Sequence, residues 1–295
     1  MTDKWIATPT RTKAILETYG FTFKKSLGQN FIIDVNILQN IIRKAGIDKQ
    51  AGVIEVGPGI GALTEQLAIS ADKVVGYEID QRLYPILANT LGPYPNVNIL
   101  HEDILEADVK RTIDAHFEPA QPVHVVANLP YYITTPILMK LLRDHVPVTS
   151  LTVMIQKEVA DRMAAGPNHK SYGSLSIAVQ YYTESAIVMN VPKNVFMPPP
   201  NVDSSVLKLV RREQAPVQVD NEEYFFAIVQ ACFAQRRKTL RNNLIRHFKA
   251  MADKTIVSDT LKKAGIDETR RGESLTMAEF AVLANTFYRL IENNS

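Results

Sequence analysis

The chain has 295 residues, 46% hydrophobic and 22% charged, with a net charge of +2 and one cysteine. That length accommodates one large α/β domain with a smaller companion, and the composition excludes disordered and fibrous classes. No apolar run approaches the ~18 residues of a membrane span, residues 1–25 lack the apolar core of a secretory signal, and the lone Cys232 excludes an internal disulfide, so a cytoplasmic protein is expected.

From residue 50 the chain alternates β-branched runs with helical patterns. Val53–Val56 reads as a strand and Leu63–Ala68 as a helix. Lys73–Tyr77 is a second strand, followed by a helix near Arg82–Thr90. Val97–Leu100 and Val123–Ala127 are the next strands; Leu151–Gln156, Ala186–Val191 and Ser205–Val210 complete the series. Alternation of this kind predicts a parallel sheet with helices on both faces. Beyond Pro216 the strands cease. Tyr224–Phe233, Thr239–Phe248, Thr255–Lys263 and Met277–Ile291 carry helical spacing. The expected division is therefore an α/β domain over 1–212 and a helical one over 213–295.

The first strand runs into Glu55-Val56-Gly57-Pro58-Gly59-Ile60-Gly61 and then a helix. Glycines at such a turn let backbone approach a ligand beside the helix N-terminus. Glu78 ends the second strand, where a carboxylate can accept both ribose hydroxyls of an adenosyl group. Asp103, after the third strand, reads by itself as a helix N-cap, but as the third acid in a series at successive strand ends it reads better as an acceptor for an adenine amine. A nicotinamide dinucleotide would also suit Gly57 and Glu78, although the glycines follow G-x-G-x-G rather than G-x-G-x-x-G.

The fourth strand stops abruptly at Asn128-Leu129-Pro130-Tyr131. An exocyclic amine on a nucleobase is a poor nucleophile because its lone pair is delocalised into the ring. Asn128 can accept one of its N–H groups through the side-chain carbonyl, and Leu129 another through a backbone carbonyl aimed by Pro130. Tyr131 can lay its ring against the base. The competing reading is a proline turn whose Asn caps the next helix. The six histidines show no ligand spacing, so no metal is expected, and neither a Walker loop nor a nucleophile elbow is present.

A basic run, Arg236, Arg237, Lys238, Arg241, Arg246 and Lys249, contains no acid. Leu240, Leu244 and Phe248 recur four apart and can face a core, so Arg237, Lys238 and Arg241 are expected to project outward on one helix and meet RNA phosphates. The competing reading is a solvated face whose arginines pair with acids of their own protein.

Asn-Leu-Pro-Tyr at a strand end resembles the acceptor motif of amino-directed, S-adenosylmethionine-dependent methyltransferases. Together with the strand-end acids, it makes the chain resemble the ribosomal RNA adenine dimethyltransferases, with the bacterial small-subunit branch closest. The likeness spans almost the whole chain. Ser26-Leu27-Gly28-Gln29-Asn30-Phe31-Ile32 is similar to the family's N-terminal cofactor motif, which implies that Asn30 and the backbone of Ile32 touch the methionine part of S-adenosylmethionine. A Leu is common at the second position, and a backbone contact survives Ile. The resemblance further implies cofactor contacts at Gly57, Glu78, Asp103 and Asn128. Gln156–Ala160 and Phe196–Ser204 are also similar to family motifs. It implies that Phe196 closes over the target base, although the same ring can equally pack against its Pro-rich loop.

The fold implied is a Rossmann-like, seven-stranded methyltransferase sheet with a small all-helical C-terminal domain that binds RNA. The implied activity is dimethylation of two adjacent adenosines near the 3′ end of small-subunit (16S) ribosomal RNA, within an immature subunit, with no metal and no membrane. Two rivals are a large-subunit adenine methyltransferase of the drug-resistance type and a chiefly non-catalytic ribosome assembly factor.

Overall fold

A computed structural model describes residues 5–24, 27–249 and 253–292. Nine strands and twelve helices follow in chain order among them: α1 (Pro9–Thr18), β1 (Phe31–Ile32), α2 (Val35–Ala45), β2 (Gly52–Val56), α3 (Ala62–Ser70), β3 (Lys73–Glu78), α4 (Tyr84–Thr90), β4 (Val97–His101), α5 (Val109–His116), β5 (Val123–Asn128), α6 (Thr134–Arg143), β6 (Ser150–Gln156), α7 (Lys157–Ala164), α8 (Ser174–Tyr182), β7 (Thr183–Val191), β8 (Phe196–Met197), β9 (Ser204–Arg211), α9 (Glu222–Phe233), α10 (Leu240–His247), α11 (Lys254–Lys263) and α12 (Met277–Glu292). Two compact units result: residues 1–160 with 184–211, and residues 161–183 with 212–295.

The first unit is built on a seven-stranded sheet of order β4-β3-β2-β5-β6-β9-β7. Every residue of β2 is buried, as in a central strand covered on both faces. The chain runs outward from β2 to β4 on one side and resumes at β5 on the other. The order therefore reverses between β2 and β5, and a crevice opens at their carboxyl ends. The expectation of a parallel sheet holds for β2 to β6 only. β9 lies antiparallel to β6, with Gln156 opposite Ser204 and Ser150 opposite Val210. Strand-like composition alone does not encode direction, which the route of the chain through β7 and β8 decides.

Six helices escaped the sequence reading. The plainest is α2, where the Asp34 side chain accepts from the Asn36 amide and Gly46 closes the helix at φ 78°. Its apolar face, Leu38, Ile41 and Ile42, is buried and packs on α3 and β6.

Gly76 of β3 positions the glycine turn. A Cβ there would lie 2.7 Å from Pro58 Cγ and 2.8 Å from Ile99 Cδ1, so the missing side chain is the space into which the turn settles. Gly76→Ala should destabilise the protein by about 1–3 kcal/mol through overpacking, whereas Gly166→Ala, with nothing within 4 Å, should be nearly neutral. Urea midpoints of the two variants check this.

The second unit corrects the expected boundary, because residues 161–183 belong to it. Aromatic packing is the reason: the Tyr181 ring lies 5.4 Å from Phe225 and 5.2 Å from Phe226 of α9. Helices α9 to α12 start at side-chain caps where these are defined, namely Asn221, Thr239 and Asp253. Leu240, Leu244 and Phe248 are buried as their spacing required.

Candidate active site

At the carboxyl end of β2, Gly57, Gly59 and Gly61 all hold positive φ (72°, 63° and 90°), a conformation glycine adopts without strain. The Phe31 ring leans so closely on Gly59 that a Cβ there would come within 2.9 Å of Cε1. Gly57 faces open space. Helix α3 starts at Gly61 without a side-chain cap, which leaves its first amides to the turn and to whatever enters the crevice.

Glu78 ends β3 and is 5% exposed. Its carboxylate accepts from the Gly59 amide at 3.1 Å and the Asp80 amide at 2.8 Å. Burial raises its pKa, opposed by those two bonds. The group is thus oriented by backbone donors with lone pairs to spare. Asp103, one strand over, accepts from the Leu105 amide at 2.9 Å, so the capping role it could play is real and occupies one oxygen.

The acceptor turn is held as firmly. Asn128 Nδ2 donates to the Asn30 carbonyl at 3.1 Å, and Asn30 Nδ2 donates to Gly28 O at 3.1 Å. With its donor end committed to residue 30, the Asn128 amide has its carbonyl left as the acceptor. The Leu129 amide donates to Met154 O at 3.1 Å, and Pro130 O accepts from the Thr134 hydroxyl at 3.0 Å. The Tyr131 hydroxyl pairs with Ser204 Oγ at 2.7 Å, which fixes the ring at its far end.

One cavity of about 250 Å³ gathers these groups. Asn30, Ile32, Gly57, Glu78, Asp103, Asn128, Leu129, Pro130 and Tyr131 all line it. The sequence reading of this cluster therefore converges in space. Glu55, the acid just ahead of the glycines, also lines the cavity, is 1% exposed and has Oε2 without a hydrogen-bond partner. Burial pushes its pKa up to about 8, and the charge of Glu78 adds to the effect. The only signal in the sequence was an acid just ahead of the first glycine, in an otherwise apolar strand.

Phe196, expected beside the target base, does not join this cluster. Its ring is 3% exposed within the core cluster and does not line the cavity. As part of β8 it pairs with Ile32 of β1, so apolar packing with that strand accounts for its place. Ser26 of the N-terminal motif lies outside the described residues.

In the second unit the basic run divides. Arg237 and Lys238 are exposed but sit in the turn before α10, not on its face. Arg241 is committed to Glu268 at 3.2 Å and to the Ser258 hydroxyl at 2.9 Å, and Arg236 to Glu273 at 3.4 Å. An acid-free segment thus takes its acids from distant sequence, which a local reading cannot see. Among the described residues, no three acids, histidines or cysteines cluster as metal ligands, and no helix is long and apolar enough to cross a membrane.

The family model described as ribosomal RNA adenine dimethylase matches residues 20–283. A protein of Oceanobacillus iheyensis named ribosomal RNA small subunit methyltransferase A is 69% identical over 98% of both chains. A protein of the same name from Anoxybacillus flavithermus is 60% identical over 97% of each. Among solved structures, a dimethyladenosine transferase from Plasmodium falciparum aligns with a TM-score of 0.72 at 26% identity, covering 86% of this chain and 95% of that one. A 23S rRNA methyltransferase, ErmE, aligns with a TM-score of 0.65 at 26% identity, covering 88% and 99%. The strand-end acids, the glycine turn and the Asn-Leu-Pro-Tyr corner in one cavity agree with that match: the chain belongs to the ribosomal RNA adenine dimethylase family.

Proposed function

We propose that this chain dimethylates the exocyclic amines of two adjacent adenosines near the 3′ end of small-subunit ribosomal RNA, with S-adenosylmethionine as donor. The observation that carries the proposal is that Glu78, Asp103, Asn30 and Asn128 line the same cavity as the Leu129–Tyr131 turn. The cavity suits an adenosyl cofactor. Glu78 offers unused lone pairs to the ribose, and Gly57 leaves room for close approach. Asp103 offers an acceptor to the adenine amine. When bound, S-adenosylmethionine supplies an electrophilic methyl on a good leaving group.

The chain's own residues then have a positioning task. Asn128 Oδ1 and the Leu129 carbonyl hold the two amine protons of a flipped adenine, steering its lone pair out of the ring plane. The Tyr131 ring, pinned through Ser204, supports the base face. Positioning of this kind accounts for large rate factors without a strong base, and the proton released after transfer can leave through water. A first methylation leaves one N–H and a lone pair, so the same groups serve a second.

The small subunit is favoured over the large one because the 60–69% identical relatives carry the small-subunit name, whereas the 23S enzyme is 26% identical. Mass spectrometry of ribosomal RNA from cells with and without this protein tests the proposal. It reports base, position and methyl count together, and loss of methylation on the large-subunit RNA instead would overturn it. A ribosomal RNA substrate favours a cytoplasmic setting.

We also assign RNA backbone contact to the helical unit, now through Arg237 and Lys238 rather than Arg241. Replacing both by Gln should weaken RNA binding and lower its salt slope by roughly two units, one per lost phosphate contact, leaving cofactor affinity alone. Binding titrations over a salt series check this; an unchanged slope would remove the turn from the RNA-binding face.

A further inference from the structure

Asp80 lies two residues beyond Glu78 and does not line the cavity, yet it sits at the meeting point of three elements that do their work there. Its backbone amide donates to Glu78 Oε1 at 2.8 Å. Its carboxylate accepts from Gln29 Nε2 at 2.8 Å, and from Arg82 Nε and Nη2 at 2.9 and 2.6 Å. Arg82 in turn donates to Thr22 O at 2.9 Å and stacks its guanidinium 4.8 Å over the Phe21 ring. Gln29 Oε1 accepts from the Lys24 amide at 3.0 Å. The hydrogen bonds from Arg82 and then Gln29 hold the Asp80 carboxyl down at about 2 against the opposing effect of burial, so it is ionised throughout the working range.

The segment gripped in this way is the one that carries Asn30, whose carbonyl orients Asn128. Residues 27–32 form a wall of the cavity; Phe31 and Ile32 are anchored by burial and by pairing with β8, whereas residues 27–30 have no strand pairing. Irregular backbone of that kind depends on its side-chain ties to stay closed.

We propose that Gln29, Asp80 and Arg82 form a clasp that holds residues 27–32 over the cofactor cavity, so that Gln29 and Asp80 are positioning residues for Asn128. The clasp couples the ribose-binding end of the site to the methyl-transfer end: the backbone of Asp80 sets Glu78, and its side chain sets the residue before Asn30. The inference rests on the cofactor reading above, but its first test does not need the cofactor.

Hydrogen exchange of the free protein, in variants that keep the parent's circular dichroism, reads the clasp directly. Gln29→Glu sets a second carboxylate against a buried one, and should speed exchange of the amides of residues 27–32 by about 10-fold or more, with Gln29→Ala intermediate. Arg82→Gln, which loses the two-point hold on Asp80 and the bond to Thr22 O, should speed exchange of the same amides. The dissociation rate of S-adenosylhomocysteine should follow the same order. Parent-like exchange in both Gln29 variants would overturn the clasp, as would an acceleration that spreads equally to the amides of the seven-stranded sheet. A parent protein that binds no S-adenosylhomocysteine would overturn the cofactor reading instead, while exchange still decides the clasp.

Discussion

Asn128→Ala should keep the fold and most of the RNA affinity, yet lose about 10²-fold or more in methyl transfer, because misorientation acts on the reactive geometry itself. The side chain is tied at its donor end to the Asn30 carbonyl, so alanine removes the acceptor for the amine and also frees a cavity wall. Cofactor affinity should therefore fall as well, by less than the rate does. Asn128→Asp keeps the shape but places a carboxylate against that same carbonyl, and should be nearly as damaging. Tyr131 supplies the comparison. Its hydroxyl contributes one bond to Ser204, so Tyr131→Phe should cost only a few-fold and Tyr131→Ala far more, since stacking needs the ring. Single-turnover rates decide the matter. A parent-like rate for Asn128→Ala would remove this residue from the reaction, and equal damage from the two Tyr131 variants would shift the role from ring to hydroxyl.

Glu78→Ala should weaken S-adenosylmethionine binding by about 1.5–3 kcal/mol, roughly 10- to 150-fold, as for charge-assisted hydrogen bonds to two hydroxyls. Part of that loss comes through the protein, because the Gly59 and Asp80 amides lose their acceptor and the glycine turn loosens. The pH dependence has a definite sign. Burial raises the Glu78 pKa, so the proton that blocks acceptance from both hydroxyls arrives at a higher pH than for an ordinary carboxylate. Affinity should fall as pH drops through that elevated value, and Glu78→Ala should abolish this fall. The same elevation works against folding as pH rises, because the folded carboxyl holds its proton more tightly than the unfolded one. Calorimetric titration across pH separates the two effects. Unchanged affinity in a folded Glu78→Ala protein would exclude the ribose contact, and NADH binding that it abolished would point to a dehydrogenase.

The glycine turn, the acids at successive strand ends and the Asn-Leu-Pro-Tyr corner were legible in the sequence, for a common reason. Each is a short run of residue types whose backbone or donor–acceptor character is local, so spacing alone brings the group to a strand end. The seven strands were legible likewise, because near-continuous apolar runs of strand length have few other uses in a chain of this composition. Only the tertiary structure decided what depends on partners far away in sequence. It turned β9 antiparallel, since direction is set by the route of the chain. It drew residues 161–183 into the helical unit, since the rings of Tyr181 and Phe225 meet across more than forty positions. It buried Phe196 against the β1 strand, and it gave Arg241 an acid from another helix–turn segment. It also made Glu55, the acid before the glycines, a buried carboxyl with an unpartnered oxygen, because a pKa is fixed by the surroundings that fold around a group and not by its neighbours in the chain.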